Sequence, residues 1–536
     1  MILFVENDDS FSWNVLETLP FPREAVRVVR TAEALASLTS DIEQVIVGPG
    51  PKDPQRAGLI PFVHEVARRQ LPYLGVCLGH QALGLAFGAE LIRSVPVHGK
   101  RAWATFGASR EFAHVTGRLE VMRYHSLSLK SVRAPLRVVA SLDDGTVMAI
   151  EHETLPMRGV QFHPDSFGTP QGRRLLGSAL THSRSPSPPA GERVGERAQR
   201  LSLSSLNERT NFALLAPQFS RAPHWTLFDL SSSNPNATLW HAKAEGQPIA
   251  LQGRAEPIEL IIDVDPISLE PKLDETGFLD GVRAIREAIA AGDVYQVNLT
   301  QRATLRPDAT GAQILATLCR TTVPRFAAWV KSREFGEFVS ASPELLVERD
   351  GRHVRVEPMK GTSRPDQRAW LDASEKDRAE LAMITDLLRD DLHHLCERGS
   401  VVVTNERRFI ELPYVLQTVA DIEGTLRSEI TTSELLAQVH PGGLVTGAPR
   451  NAALAQIAKL ESSPRGAYCG ALGLEVDGRL TTSLLIRTAE HTLTPTLSLA
   501  GEGGSGWRYG VGGGITWDSD EHAELEEIRL KLGALR

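Results

Sequence analysis

Between Ser183 and Arg200 the chain reads Ser-Arg-Ser-Pro-Ser-Pro-Pro-Ala-Gly-Glu-Arg and onward, with no hydrophobic period and nothing to bury. At 536 residues the chain exceeds one ordinary core. The run therefore reads as a linker, 183–200, between two folding units, 1–182 and 201–536. In the first unit, Ile2 to Val5, Ala25 to Val29, Val45 to Val47 and Leu71 to Val76 are strand-like, with helical stretches between them. That alternation predicts an α/β sheet. In the second unit, Leu493 to Gly506 is rich in Gly, Ser and Thr and lies between the strand-like runs Leu480 to Thr488 and Arg508 to Val511. It reads as an inserted hairpin loop, tolerable because loop-closure cost grows slowly with length.

Charge and cysteine content narrow the class of molecule. A net charge of -8 with both signs interspersed argues against a nucleic-acid or membrane-surface partner, so an anionic substrate has to be met by a local basic pocket. Cys77, Cys319, Cys396 and Cys469 have neither metal-ligand spacing nor disulfide density, which fits a reducing, cytoplasmic location. The apolar start Met1 to Val5 gives way at once to Glu6, Asp8 and Asp9, and reads as neither signal peptide nor membrane span.

Cys77 ends the short strand of Tyr73-Leu74-Gly75-Val76 and precedes Leu78-Gly79-His80-Gln81, where a helical period begins. Small residues on both sides permit a tight strand-to-helix bend that presents a side chain, and the helix start favours a developing thiolate. By itself such a cysteine is more often buried packing. Downstream, Gly159-Val160-Gln161-Phe162-His163-Pro164-Asp165 supplies an imidazole and, two residues on, a carboxylate: the base and orienter that an activated thiol requires. With Gly48-Pro49-Gly50-Pro51, these segments resemble the class I glutamine amidotransferases over roughly the first third of the chain. The resemblance implies a flavodoxin-like fold, Cys77 as nucleophile on the glutamine amide, His163 as base, Asp165 as orienter, and Gly50 and Gln81 in the glutamine pocket. That family usually carries glutamate where Asp165 stands; the shorter side chain implies a more loosely held imidazole.

In the second unit, Asp293 to Leu299, Ser342-Pro343-Glu344, Pro358 to Thr362, Pro441 to Pro449 and Gly512-Gly513-Gly514-Ile515 form an ordered series. A helix over Ser374 to Leu395 puts Leu381, Ile384, Leu388 and Leu395 on one stripe, with Asp377 and Glu380 at its margin. A last helix begins at an Asp518 cap and carries Glu524 and Glu527 three apart on one face. Acidic helix faces are usually just solvated. The series as a whole resembles the chorismate-utilising enzymes, which implies an α+β domain of antiparallel sheets flanked by helices. By the same resemblance Glu380, Glu524 and Glu527 serve Mg2+, with Glu380 and Glu527 as direct ligands, and the ion pins the ring carboxylate of chorismate.

Further roles follow from that resemblance. Gln296, Thr446, Arg487 and the N–H groups of Gly512, Gly513 and Gly514 would bind substrate, the glycines as a nest-like anion site; the plainer alternative for them is a bulged strand entering a helix. Lys360 distinguishes the branches, because anthranilate synthases have alanine there and aminodeoxychorismate synthases have a Pro-Ile-Lys-Gly-Thr form that Pro358-Met359-Lys360-Gly361-Thr362 closely resembles. Isochorismate and salicylate synthases place a lysine where Gln296 stands. Lys360 would add to the ring while Glu344 protonates the departing hydroxyl; pairing with a substrate carboxylate is the simpler reading of this lysine. The substrates implied are chorismate and glutamine, the product 4-amino-4-deoxychorismate, and the downstream partner an aminodeoxychorismate lyase. An anthranilate-type synthase releasing pyruvate is the alternative, followed by a glutamine-dependent ligase and a non-catalytic binding protein.

Overall fold

The computed structural model describes residues 1–113, 115–181, 224–229, 237–259, 265–321, 324–332, 336–411, 416–492, 506–533 and 535. The linker 183–200 lies outside the described residues, as does the inserted segment except Gly506.

The first unit is built on a sheet whose parallel half runs in the order Val26–Arg30, Ile2–Glu6, Gln44–Val47, Tyr73–Val76, Met157–Val160. This is the order of a flavodoxin-like doubly wound sheet. Its strands are almost continuously apolar, as expected where both faces are covered: Leu3, Val5, Val45 and Val47 pack on one side with Val63 and Val66 of the helix Leu59–Arg68, and Phe4, Ile46, Leu74 and Val76 on the other. An antiparallel extension adds Val147–His152, Leu136–Ser141, Glu90–Phe106 and Gly117–Lys130.

The second unit contains two largely antiparallel sheets with helices against them. One includes Leu345–Asp350, His353–Val356, Met359–Ser363 and Leu416–Thr425; the other includes Gln296–Thr304, Gly336–Ser342, Thr488–Thr492 and Gly506–Ile515. The helix Glu375–His393 starts at Ser374, whose hydroxyl accepts from the Asp377 N–H, and its Leu381, Ile384 and Leu388 are buried as the period predicts.

Three expectations need correction. The run 480–488 is not one strand: Arg479–Leu484 and Thr488–Thr492 belong to different sheets, and Arg487 between them has φ of 52°. The last helix, Glu521–Gly533, is capped by Asp520 rather than Asp518, because the Asp520 carboxylate accepts from the N–H groups of His522 and Ala523. Gly512, Gly513 and Gly514 are strand residues registered opposite Thr300, Leu299 and Asn298, and none has a left-handed φ, so the alternation of hand that makes a nest is missing. Thr492 and Gly506 are register partners, so the ends of the inserted segment meet across one ladder.

Candidate active sites

Cys77 sits between the strand Tyr73–Val76 and the helix Leu78–Ala86 with φ of 51° and ψ of −98°. A non-glycine residue holds such a conformation only where its surroundings enforce it, and these outliers cluster at functional sites. The Cys77 N–H donates to the Val160 carbonyl, and its thiol lies 3.8 Å from the Tyr124 carbonyl and 3.6 Å from Gln161 Nε2. Gln81 Nε2 donates to Gln161 Oε1 at 3.2 Å and to the Leu127 carbonyl at 3.1 Å, which places Gln81 one hydrogen bond from the residue that touches the sulfur. Gly50 lies against Leu78: a methyl on it would stand 2.7 Å from the Leu78 side chain and 2.6 Å from Asn7 Cβ, so only glycine lets this loop approach the bend. Asn7 Nδ2 holds the loop by donating to the Gly48 and Pro49 carbonyls.

His163 and Asp165 are fully buried, with Nδ1 and Oδ1 3.4 Å apart. A charge-assisted hydrogen bond is about 2.7–2.9 Å; the aspartate, one methylene shorter than glutamate, stops short of that distance. Burial opposes charge on this imidazole, but attraction to Asp165 and the Cys77 sulfur outweighs it and holds His163 well above the usual histidine range. The ring packs edge-on against Phe11 at 5.4 Å and Tyr124 at 5.0 Å. Phe11 stacks in turn on Tyr295 of the second unit at 6.0 Å. On the other face of Tyr295 lies His98, which lines a cavity of about 10 Å³ together with Lys376, Ala379 and Glu380.

In the second unit, Lys360 comes from the strand Met359–Ser363 and is fixed through its backbone, where its carbonyl accepts from the Thr418 hydroxyl. A methyl on Gly514 would stand 3.4 Å from Lys360 Nζ and 2.1 Å from Gln296 Nε2, so the Lys360 and Gln296 side chains meet over Gly514. Glu344 is buried and its Oε1 has no partner. Burial raises its carboxyl to about 7, against the lowering effects of Lys360 and of the Met359 N–H. Gln296 Oε1 is likewise buried and unpartnered. Thr446 is buried with its hydroxyl donating to the Gly442 carbonyl, and Arg487 is half-buried at the junction of the two strands it separates.

All three acidic residues assigned to a metal act electrostatically on the Lys376 ammonium. Glu380 and Glu524 are buried and share the Lys376 ammonium at 3.7 and 2.6 Å, whereas Glu527 is 48% exposed and paired with Lys531 at 2.8 Å. Glu524 and Glu527 differ in exposure, and among the described residues no three acidic, histidine or cysteine side chains group closely enough to hold an ion alone. Glu380 Oε1 is buried without a hydrogen-bond partner, and its carboxyl is pushed up to about 7, chiefly by burial. Two buried carboxylates held together by one ammonium form a hard-oxygen donor set of the kind Mg2+ accepts when substrate and water fill the remaining positions.

Gln161 lies two residues before His163 in the same motif and is legible there, whereas Tyr124 and Lys376 carry no signal in the linear motifs and act through contacts formed only on folding. Among the described residues, no helix is long and apolar enough to cross a membrane.

Residues 197–536 match the model of the chorismate binding enzyme family, and residues 3–182 match that of class-I glutamine amidotransferases. Over nearly the whole chain the sequence is similar to two proteins described as aminodeoxychorismate synthases. That of Streptomyces griseus is 28% identical, across 99% of this chain and 94% of its own length; that of Streptomyces pristinaespiralis is 27% identical, across 100% and 96%. An anthranilate synthase component 1 of Haloarcula marismortui is 35% identical, but across 53% of this chain and 58% of its own length.

Proposed function

Since the chain belongs to the chorismate binding enzyme family and carries a class-I glutamine amidotransferase domain ahead of it, we propose that it aminates chorismate to 4-amino-4-deoxychorismate with glutamine as nitrogen donor. The observation that carries this reading is the juxtaposition of Lys360, Gln296 and Gly514, with the raised carboxyl of Glu344 acting on the same lysine. A lysine stands at position 360 and none stands at 296, the combination expected for amination rather than hydration of the ring.

In the first domain Cys77 attacks the glutamine carboxamide with His163 accepting the thiol proton, ammonia leaves, and water releases glutamate from the thioester. The Gly50 loop and the N–H of Leu78 would supply donors to the developing oxyanion. In the second domain the Lys360 amine bonds to C2 of chorismate as the C4–O bond breaks, and Glu344 gives its proton to the departing hydroxyl as water. Ammonia then bonds to C4 and the C2–N bond breaks, returning the amine to Lys360 and leaving the enolpyruvyl arm in place. Glu344 suits this task because a carboxyl raised to about 7 still carries a proton near neutrality. Arg487 and Thr446 belong to the carboxylate-binding side. Glu380, Glu524 and Glu527 would hold Mg2+, which when bound would mask the ring carboxylate's charge and draw electrons from the diene.

The route leads towards 4-aminobenzoate, with an aminodeoxychorismate lyase as the enzyme that uses the product, in a cytoplasmic setting. The test is the mass spectrum of the product formed from chorismate and glutamine. A compound in which one hydroxyl is replaced by an amino group and the enolpyruvyl arm is retained supports the reading. A fluorescent aromatic product accompanied by pyruvate overturns it in favour of an anthranilate-type synthase.

A further inference from the structure

The helix Glu375–His393 belongs to the chorismate domain, yet its middle is buried against the amidotransferase domain. Asp386, 1% exposed, lies six residues beyond Glu380 on this helix. Its Oδ2 accepts from the Tyr124 hydroxyl at 2.8 Å and from the Ser166 hydroxyl at 2.5 Å. Its Oδ1 accepts from Arg389 Nη1 at 2.5 Å and from the Phe167 N–H at 3.4 Å. The same Arg389 nitrogen donates to the Asp165 carbonyl at 3.2 Å.

Each of these partners is one step from the catalytic thiol, imidazole or carboxylate. Tyr124 is gripped at both ends: its hydroxyl by Asp386, its carbonyl by the Cys77 thiol at 3.8 Å, with its ring edge-on to His163. Ser166 and Phe167 directly follow Asp165, and Arg389 holds the Asp165 backbone itself. The Asp165 to His163 distance of 3.4 Å is already long, so imidazole orientation depends more than usual on how firmly the 165–167 segment is fixed. A second carboxylate on the helix, Asp390, accepts from the Trp13 and Asn14 N–H groups at 2.7 and 3.0 Å, and so docks the domains away from the sulfur.

The geometry points to Asp386 as a positioning residue supplied by the chorismate domain, without which the Cys77, His163 and Asp165 arrangement of the amidotransferase domain is incomplete. This rests on the proposed glutaminase role of Cys77.

The experiment uses the full chain and reads three quantities: glutamate release from glutamine, glutamine-supported amination and ammonium-supported amination. In Asp386→Ala, kcat for glutamate release falls about 10- to 100-fold with KM for glutamine little changed, because the residue orients the triad and does not touch glutamine. Ammonium-supported amination holds within about threefold. The pH profile of Cys77 alkylation by iodoacetamide shifts, which a merely structural contact would not cause. Tyr124→Phe, which keeps the ring and removes the donor, reproduces a smaller kcat loss and answers the question if Asp386→Ala fails to fold. Unchanged glutamate release in both variants overturns the assignment, and so does equal loss from both nitrogen donors. If the unaltered chain does not aminate chorismate from ammonium, the proposed function fails instead, while glutamate release still tests Asp386.

Discussion

A methyl group at position 514 reports directly on the pocket assigned to ring chemistry. Built on Gly514, it would lie 2.1 Å from Gln296 Nε2 and 3.4 Å from Lys360 Nζ. Non-bonded contact settles at about 3.5 Å, so the Gln296 amide would have to retreat by about 1.4 Å. That side chain is 1% exposed and rises from a strand paired on both edges, with Ala448 on one side and the Gly506–Ile515 strand on the other. Its retreat therefore displaces the lysine wall or the bound ring. A misplacement of about 1 Å can cost roughly 100-fold in rate, or about 2.7 kcal/mol of barrier. Gly514→Ala should lower kcat by about that factor with either nitrogen donor and leave glutamate release unaffected. The neighbouring glycines supply controls. A methyl on Gly513 would stand 3.5 Å from Glu524 Oε2, an ordinary contact, and should change the rate by less than about threefold. One on Gly512 would press on the Leu299 carbonyl at 2.5 Å and should appear as lost stability. Initial rates and thermal unfolding midpoints separate the three variants. A Gly514→Ala enzyme at full rate, or one no slower than Gly513→Ala, would refute the placement of the ring chemistry.

Other consequences are as direct. Cys77→Ala should abolish glutamine-supported amination and spare ammonium-supported amination, and loss of both would contradict the division of labour between the domains. Glu344 is raised from an ordinary 4.5 to about 7, mainly by burial, so its contribution to stability is complete below pH 4.5 and is lost as pH rises through about 7. That amounts to about 3 kcal/mol, and chemical denaturation of Glu344→Gln at pH 5 and pH 8 should show a correspondingly flatter dependence. Lys376→Ala leaves Glu380 and Glu524 without their shared ammonium and should cost about 2 kcal/mol in the metal-free chain, since the lysine is one-third exposed. Added Mg2+ should raise the unfolding midpoint of Lys376→Ala more than that of the parent, and equal shifts would count against the carboxylates as a cation site.

What the linear chain disclosed, and what it withheld, divides along physical lines. Local features were readable: apolar runs became the parallel strands, the Leu381, Ile384, Leu388 stripe placed a helix to within two residues, and the bend at Cys77 followed from small neighbours. Errors arose where one residue overrode a propensity. Arg487 at positive φ breaks a run that looks continuous, and the cap falls to Asp520 rather than Asp518 because its carboxylate meets the free N–H groups of His522 and Ala523. An anion nest at the three glycines 512–514 was implied by the resemblance alone; ladder pairing with Gln296–Thr304 makes them extended strand. Least legible were Tyr124, Lys376 and Asp386, since the Asp386 to Tyr124 bond spans 262 positions and no local period encodes it. Glu524 and Glu527 look equivalent at i, i+3, yet tertiary packing buries one and exposes the other.

The claim on which the account turns is that the Lys360 amine bonds transiently to the ring. Ammonium-supported amination by Lys360→Ala, in a preparation whose unfolding midpoint matches the parent, measures it with the amidotransferase domain out of the reaction. The account predicts a loss of at least about 1000-fold. A rate within about tenfold of the parent would mean that the lysine only pairs with a carboxylate, and that no covalent step passes through it.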